Sequence, residues 1–241
     1  MIGTSTITLV EETGSTNADL AAALRGDEKP VEGTWLVTRR QNAGKGRQGR
    51  AWQDGAGNFM GSTVVEIRKG DPAPASLGFV AALAVGQTVN EALGGACRPT
   101  LKWPNDVLLA GHKVSGILLE MVGNHIVVGI GVNLVSAPDL PDRKAASLAD
   151  YDAVTKLEHF AEALSRVFAK YLGVWRSEGL DKILQAFLHN SNHYTGSPVT
   201  VHDTDGSKLE GTFAALETSD GALRLRLADG SERVIRAGDI S

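Results

Sequence analysis

The chain lacks the features that mark several large classes of protein. Its 241 residues contain a single cysteine, Cys97, which excludes an internal disulfide and a cysteine metal cluster. Its six histidines are scattered without the spacing of metal ligands. It has no run of ~18 apolar residues that could span a membrane, and no charged-then-apolar leader. These absences predict a cytoplasmic protein that does not act at a membrane and holds no metal ion of its own.

The chain also lacks an excess of positive charge. The formal net charge is -4, with 22% charged and 42% hydrophobic residues. A general binder of DNA or RNA would carry a strongly basic balance. The composition is that of a soluble globular protein with a sizeable core, and it argues against nucleic acid as a partner.

Against this acidic background, one segment concentrates positive charge. Residues 38–52, the basic loop, hold five cations, no acid and three glycines. Cations gathered this locally predict a small anionic ligand, and glycines let backbone N–H groups approach it closely. The pair Gly44-Lys45 does not form a P-loop, because Arg39 stands where the first glycine is required and no Ser or Thr follows the lysine.

Hydrophobic periodicity predicts an α+β fold for most of the chain. Strands are expected at residues 7–10, 34–38, 59–67, 100–103, 106–109, 114–122 and 126–134. Helices are expected at residues 16–26, 76–93, 157–175 and 180–188, the first opened by a capping box of Thr16 and Asp19. Short links at residues 110–112 and 123–125 suit hairpin turns, so a mixed or antiparallel sheet with helices is predicted, not a doubly wound parallel sheet.

The texture of the sequence changes near residue 195. Short strands are expected at residues 199–202, 209–216, 222–227 and 232–235, separated by turns at Asp205-Gly206, Asp220-Gly221 and Asp229-Gly230. This pattern predicts a catalytic or binding domain over residues 1–194 and a small β-barrel over residues 195–241. A barrel of ~45 residues is marginal alone and should dock on the larger domain.

Four motifs stand in a fixed order along the chain. They are Glu12-Thr13-Gly14-Ser15-Thr16-Asn17, the basic loop, Lys102-Trp103-Pro104-Asn105-Asp106 with the following Lys113-Val114-Ser115-Gly116-Ile117-Leu118, and Val128-Gly129-Ile130-Gly131-Val132-Asn133. In this order and spacing they resemble the biotin protein ligases, with a weaker match from about Thr195. The resemblance implies a catalytic domain like that of class II aminoacyl-tRNA synthetases and an SH3-like tail. It also implies the short form without an N-terminal DNA-binding domain, since nothing before Ile7 leaves room for a helix-turn-helix.

The resemblance implies a reaction in two halves. Biotin is first activated by ATP to biotinyl-5'-AMP and is then transferred to a lysine of a biotin carboxyl carrier domain, such as that of acetyl-CoA carboxylase. Biotin and ATP are the expected small molecules, with Mg²⁺ as the companion of the ATP phosphates. The sequence leaves open whether two chains form a homodimer through an exposed strand edge.

The resemblance also implies roles for individual residues. The expected catalytic residues are Lys113, Arg47 and Asp106. Biotin contacts are expected from Ser15, Thr16, Asn17, Gln41, Lys45, Gly46, Arg47, Lys113 and Gly116. Nucleotide contacts are expected from Arg47, Arg50, Trp52, Lys102, Asn105 and Asn133. Lys45 and Gln48 depart from the family pattern, which often has arginine at both positions.

Physical reasons support the roles expected for the cations Arg47 and Lys113 and for the carboxylate of Asp106. Two anions ~4 Å apart repel by about 1 kcal/mol in water but by about 4 kcal/mol at an effective dielectric near 20. A dry site for two anionic substrates therefore needs fixed cations, here Arg47 and Lys113. A free lysine with pKa near 10.4 is mostly protonated, which gives Asp106 a role in receiving its ammonium or proton, against the alternative that Asp106 only caps a turn. Trp52 and Trp103 either cover the ligand or belong to the core.

Two other functions fit parts of the pattern. A ligase for lipoate or another carboxylic cofactor would use related chemistry, although the Lys113 segment and the C-terminal barrel favour biotin. A nucleic-acid-binding module would use the basic loop and a β-barrel. The tail argues against this second alternative, because residues 196–241 hold five Lys or Arg and eight Asp or Glu.

Overall fold

The computed structural model describes residues 5–27, 29–53, 55–139, 144–202 and 207–241. A seven-stranded sheet forms its centre, built from β1 (Thr6–Thr13), β2 (Thr34–Gln41), β3 (Phe59–Glu66), β4 (Thr100–Lys102), β5 (Asp106–Leu109), β6 (His112–Val122) and β7 (His125–Val132). The strands lie in the order β1-β2-β3-β7-β6-β5-β4. Only β1 and β2 are paired in parallel, because a helix crosses between them, and the other neighbours are antiparallel.

In the described part of the chain, four α-helices pack around this sheet. They are α1 (Thr16–Arg25), α2 (Leu77–Leu93), α3 (Leu157–Ser177) and α4 (Leu180–His189). On one face α2 is buried almost throughout and packs against α3, and α4 packs on both α2 and α3. The helix α3 also contacts the sheet, where the ring of Phe168 lies edge-to-face on Trp35 of β2 at 5.6 Å. On the other face α1 buries Leu20 and Leu24 against the sheet. Cover on both faces explains why β3 is buried along nearly its whole length.

The N-terminus of α1 differs from the prediction. The predicted capping box of Thr16 and Asp19 is wrong, since Ser15 is the N-cap and its Oγ accepts a hydrogen bond from the Ala18 N–H at 3.4 Å. Asp19 instead accepts a hydrogen bond from the Thr13 hydroxyl. The cap falls on Ser15 because this residue is still extended where the chain leaves β1, whereas Thr16 is already helical and buried.

The C-terminal segment folds into a five-stranded antiparallel sheet. Its strands are β8 (Pro198–His202), β9 (Lys208–Leu216), β10 (Leu223–Arg226), β11 (Glu232–Ile235) and β12 (Asp239–Ile240), in the order β11-β10-β9-β8-β12. The predicted turns at Asp220-Gly221 and Asp229-Gly230 are confirmed, whereas Asp205-Gly206 lies outside the described residues. The strand β12, which is only two residues long, was not predicted from the sequence.

The small sheet docks on the larger domain through close contacts. The Trp103 indole donates a hydrogen bond to the Gly221 carbonyl at 3.0 Å, and Trp103 is buried. A Cβ at Gly221 would lie 2.2 Å from the Phe79 ring, so glycine is required there for the approach. The predicted α+β class, with a mixed sheet and a small C-terminal β-domain, is confirmed. Within the described ranges, no helix is both long and apolar enough to cross a membrane.

Candidate active site

A single cleft gathers most of the predicted site residues. It lies where the N-terminus of α1, the basic loop and the strands β3, β6 and β7 meet, and Asp239 of β12 completes its wall. The predicted residues that line it are Ser15, Thr16, Asn17, Gln41, Lys45, Gly46, Arg47, Arg50, Trp52, Asp106, Lys113, Gly116 and Asn133. Of the predicted residues, Lys102 and Asn105 do not line it.

Buried polar groups form one part of the cleft wall. Gln41 Oε1 accepts a hydrogen bond from the Thr16 N–H at 2.9 Å. The Thr16 hydroxyl lies 2.7 Å from the hydroxyl of Ser62, which donates to Asn17 Oδ1 at 2.6 Å. All four side chains are at most 8% exposed. Polar groups this deeply buried at a cavity wall are suited to hydrogen-bonding a small polar ligand.

Arginines of the basic loop close another part of the wall. Arg47 donates hydrogen bonds to Asn105 Oδ1 at 3.1 Å, to Asp239 Oδ1 at 3.2 Å and to the Gly238 carbonyl at 3.0 Å. Arg50 donates to the other oxygen of Asp239 at 3.1 Å. Burial raises the pKa of Asp239, but the charges of Arg47, Arg50 and Lys113 outweigh burial and hold that pKa below its ordinary value of 3.8. The loop is therefore tied to the C-terminal sheet by an ionised carboxylate.

Lys113 and Asp106 form an ion pair at the cleft. Lys113 Nζ donates to Asp106 Oδ1 at 2.5 Å, and their side chains are 23% and 12% exposed. Val107 pairs with Ser115 whereas Leu108 pairs with Lys113, so β6 carries one extra residue at this point. Such a bulge changes the alternation of side chains and directs the lysine to the cleft beside Gly116.

Asn105 and Lys102 lie outside the cleft in different ways. Asn105 is buried behind Arg47, where its Nδ2 donates to the Ile117 carbonyl at 2.6 Å while its Oδ1 accepts from Arg47. Asn105 therefore orients the arginine. Lys102 lies near His193 at the junction with the C-terminal sheet, where burial and the lysine charge lower the pKa of that histidine.

The two tryptophans have different positions. Trp52 lines the cleft, and its ring packs so closely on β7 that a Cβ at Gly131 would lie 2.3 Å from it. Gly116 of β6 also leaves space for the Trp52 ring, because a Cβ at Gly116 would lie 3.0 Å from it. Trp103 belongs to the core.

The chain is similar to known proteins over most of its length. Residues 10–133 match the biotin/lipoate A/B protein ligase family, and residues 194–241 match the biotin protein ligase C-terminal domain. A biotin–[acetyl-CoA-carboxylase] ligase of Paracoccus denitrificans is 37% identical over 96% of this chain and 98% of its own length. The chain belongs to the biotin/lipoate A/B protein ligase family.

Other members are similar over similar lengths. A biotin–[acetyl-CoA-carboxylase] ligase of Mycobacterium tuberculosis is 34% identical over 96% of this chain and 87% of that relative. The biotin protein ligase of Aquifex aeolicus, solved in complex with biotin and ATP, superposes with a TM-score of 0.82. That structure is 24% identical, with 99% of this chain and 98% of the Aquifex chain covered, and the likeness shows a shared fold.

Ser62 and Asp239 line the cleft but were not predicted from the sequence, and neither was Glu120, which lies behind the cleft wall on Asn17. Ser62 lies in β3, which is buried along nearly its whole length, and Glu120 follows the predicted Lys113 segment on β6. Asp239 lies in the short strand β12. A polar residue in an otherwise buried strand was a usable signal for Ser62. Asp239 gave no local signal, because its partners stand about 190 residues earlier in the chain.

The two carboxylates that line the cleft in the described part of the chain are paired with cations. Asp106 binds Lys113, and Asp239 binds Arg47 and Arg50. Among the described residues, no group of three or more His, Cys, Asp or Glu side chains is placed to hold a metal ion. The four cations that line the cleft, Lys45, Arg47, Arg50 and Lys113, suit an anionic ligand.

Proposed function

We propose that this protein activates biotin with ATP to biotinyl-5'-AMP and transfers the biotinyl group to a lysine of a biotin carboxyl carrier domain, as in acetyl-CoA carboxylase. The observation that carries the proposal is the meeting of Arg47 and Lys113, from motifs about sixty residues apart, at one cleft with buried polar walls. Family membership and the similarity to named biotin ligases support the same chemistry.

In the first half-reaction, a carboxylate oxygen of biotin attacks the α-phosphorus of ATP. An O–P bond forms, the bond from that phosphorus to the bridging oxygen of pyrophosphate breaks, and pyrophosphate leaves. Lys113 Nζ and the Arg47 guanidinium reduce the repulsion between the two anions and stabilise charge that develops on the phosphoryl oxygens. Arg47 is pre-oriented for this task by Asn105.

In the second half-reaction, the carrier lysine amine attacks the acyl carbon of biotinyl-5'-AMP. A C–N bond forms, the C–O bond to the phosphate breaks, and AMP leaves. Asp106 receives the ammonium or its proton. Its ion pair with Lys113 supports a shared role, because Lys113 turning towards the anionic ligand would free the carboxylate for the incoming lysine.

The remaining roles follow the positions along the cleft. We assign Ser15, Thr16, Asn17, Gln41 and Gly116 to biotin, with Lys45 and Gly46 of the basic loop beside them. Arg50, Trp52 and Asn133 are assigned to the nucleotide, and Asn105 acts on it through Arg47. The nucleotide role of Lys102 stays a prediction, and its position outside the cleft does not favour it.

The proposal extends to the setting of the reaction. Mg²⁺ arrives with the ATP phosphates as part of the nucleotide substrate. Residues 1–194 form the catalytic domain and residues 195–241 the C-terminal domain, and the enzyme works in the cytoplasm without DNA or membrane as a partner. Because β1 is an edge strand of the sheet, pairing of two chains there stays a prediction.

The test is pyrophosphate release from ATP and Mg²⁺ with biotin, with lipoate and with no acid. Biotin-dependent release is expected, and Lys113→Met should lower it by on the order of a hundredfold. Lys182→Met, on the exposed side of α4, is the matched control and should retain the parent rate. Release with lipoate alone would move the substrate to another carboxylic acid, and no release with either acid would contradict the proposal.

A further inference from the structure

A relay of hydrogen bonds starts at the half-buried Glu120, passes through buried side chains and ends at the cleft. Glu120 Oε2 accepts a hydrogen bond from Asn17 Nδ2 at 2.6 Å. Asn17 Oδ1 accepts one from the Ser62 hydroxyl, and the Ser62 oxygen lies 2.7 Å from the Thr16 hydroxyl. Thr16, Asn17 and Ser62 line the cleft, whereas Glu120 does not. Glu120 can therefore act on a ligand only through the other three.

The carboxylate gives this relay a single direction. An ionised carboxylate only accepts hydrogen bonds, so Asn17 must turn its Nδ2 towards Glu120 and its Oδ1 towards Ser62. Ser62 has one hydroxyl proton and donates it to that Oδ1. The Thr16 hydroxyl therefore donates its proton to the Ser62 oxygen, and not to Gln41 Oε1, which lies farther away at 3.3 Å. The hydroxyl oxygens of Thr16 and Ser62 each keep a lone pair that can accept a hydrogen bond from a ligand.

Close packing holds the central amide in place. A Cβ at Gly129 of β7 would lie 2.2 Å from Asn17 Oδ1, so the amide occupies the space that a side chain at Gly129 would fill. The nearby Gln41 Oε1 is likewise used as an acceptor, by the Thr16 N–H. This part of the cleft is thus rich in acceptors.

We infer that Glu120 is a positioning residue for substrate specificity. By fixing the direction of the relay, it makes Thr16 and Ser62 acceptors for the N–H groups of the ligand's ureido ring. The inference rests on the proposed function, because biotin supplies the ureido group. A ligand that lacks one of these N–H groups leaves a buried acceptor without a partner, and the site rejects it.

The test is Glu120→Gln, which keeps the shape but lets the amide of Asn17 turn either way. The KM for biotin should rise about tenfold while the KM for ATP stays within about twofold. The second reading is the preference, in kcat/KM for pyrophosphate release, for biotin over a lactam analogue in which CH₂ replaces one ureido N–H. This preference should fall about tenfold, since the variant can rearrange its hydrogen bonds.

Two further variants complete the experiment. Ser62→Ala interrupts the relay at its centre and should also lower the preference for biotin, so the inference can be judged even if Glu120→Gln folds poorly. Glu66→Gln removes a carboxylate from the end of β3, away from the cleft, and should behave as the parent. A purely structural role of Glu120 would lower the melting temperature without changing the preference.

The two proposals fail in different ways. A Glu120→Gln enzyme with the parent's KM for biotin and the parent's preference would overturn the role of Glu120. Absence of biotin-dependent pyrophosphate release from the parent enzyme would overturn the proposed function instead.

Discussion

At the scale of single residues, the charged side chains of the cleft form ion pairs with one another. A charged ligand could replace one member of each pair. Asp106 binds Lys113, and Asp239 binds Arg47 and Arg50. Phosphate and carboxylate groups of the ligands would compete with these carboxylates for the same cations. Substitution of a cation and substitution of its carboxylate partner should therefore have separate effects on the reaction.

Asp106→Asn should slow transfer from preformed biotinyl-5'-AMP to a carrier domain by on the order of a hundredfold, because the variant cannot accept the ammonium proton. Single-turnover transfer measured from pH 6 to 9 tests this. Pyrophosphate release measured on the same variant reports whether Lys113 is disturbed. A parent transfer rate at every pH would refute the role of Asp106.

Arg47→Gly should let biotinyl-5'-AMP dissociate roughly ten to a hundred times faster, since charge-assisted hydrogen bonds to the phosphate are lost. The released adenylate should then label bystander lysines. The dissociation rate is measured with labelled adenylate. Arg39→Gly is the matched control, because Arg39 pairs with Glu11 and Glu158. Equal dissociation rates for Arg47→Gly and the parent would contradict the prediction.

At the scale of elements, strand irregularities and glycines shape the cleft. Periodicity in the sequence located the strands and helices, because an alternating or helical apolar pattern is a local property. The extra residue in β6 that directs Lys113 to the cleft has no such local signature. The two-residue strand β12 was missed for a similar reason, since its pairing with β8 and not its composition defines it.

Gly131→Ala should displace the Trp52 ring, because the added Cβ would lie 2.3 Å from it. The KM for ATP should rise by on the order of tenfold if the ring covers the nucleotide. Gly173→Ala is the matched control, since its Cβ meets nothing within 4 Å and a helical alanine should add about 0.5–1 kcal/mol of stability. ATP titrations and thermal melts test both, and an unchanged KM for Gly131→Ala would contradict the placement of Trp52.

At the scale of the whole molecule, the C-terminal sheet contributes a residue to the wall of the cleft. Asp239 reaches Arg47 and Arg50 across the junction, while Trp103 and His193 pack at the same junction. The acidic tail predicted from the sequence thus supplies a carboxylate to the basic loop. Loop position and domain docking are coupled as a result.

Asp239→Asn should loosen the basic loop, because the ion pairs that tie it to β12 are lost. Trypsin cleavage after Arg47 and Arg50 should become faster by on the order of fivefold. Asp229→Asn, in the turn between β10 and β11, is the control and should leave the cleavage rate unchanged. An unchanged rate for Asp239→Asn would show that the loop is held by other contacts.

Acidification should weaken the domain junction through His193. Its pKa is lowered by burial and by the Lys102 charge, so the unfolded chain binds this proton more readily than the folded protein. The stability contribution is fully present above pH 6.5 and is lost as the pH falls below that value. His193→Phe keeps the stacking on Phe213 but cannot titrate. Its melting temperature should fall less than the parent's between pH 7 and pH 5, and equal falls would refute the role.

The sequence by itself determined the order of elements, the class of fold, the family and most of the polar residues that line the cleft. These properties follow from local patterns in the sequence and from motifs whose glycines and cations are close together in the chain. Tertiary structure alone decided the partners: Asp239 on the basic loop, Glu120 on Asn17, and Asn105 behind Arg47. The physical reason is that each pair joins residues 58 to 192 positions apart, and only the packing of the sheets brings them within hydrogen-bonding distance.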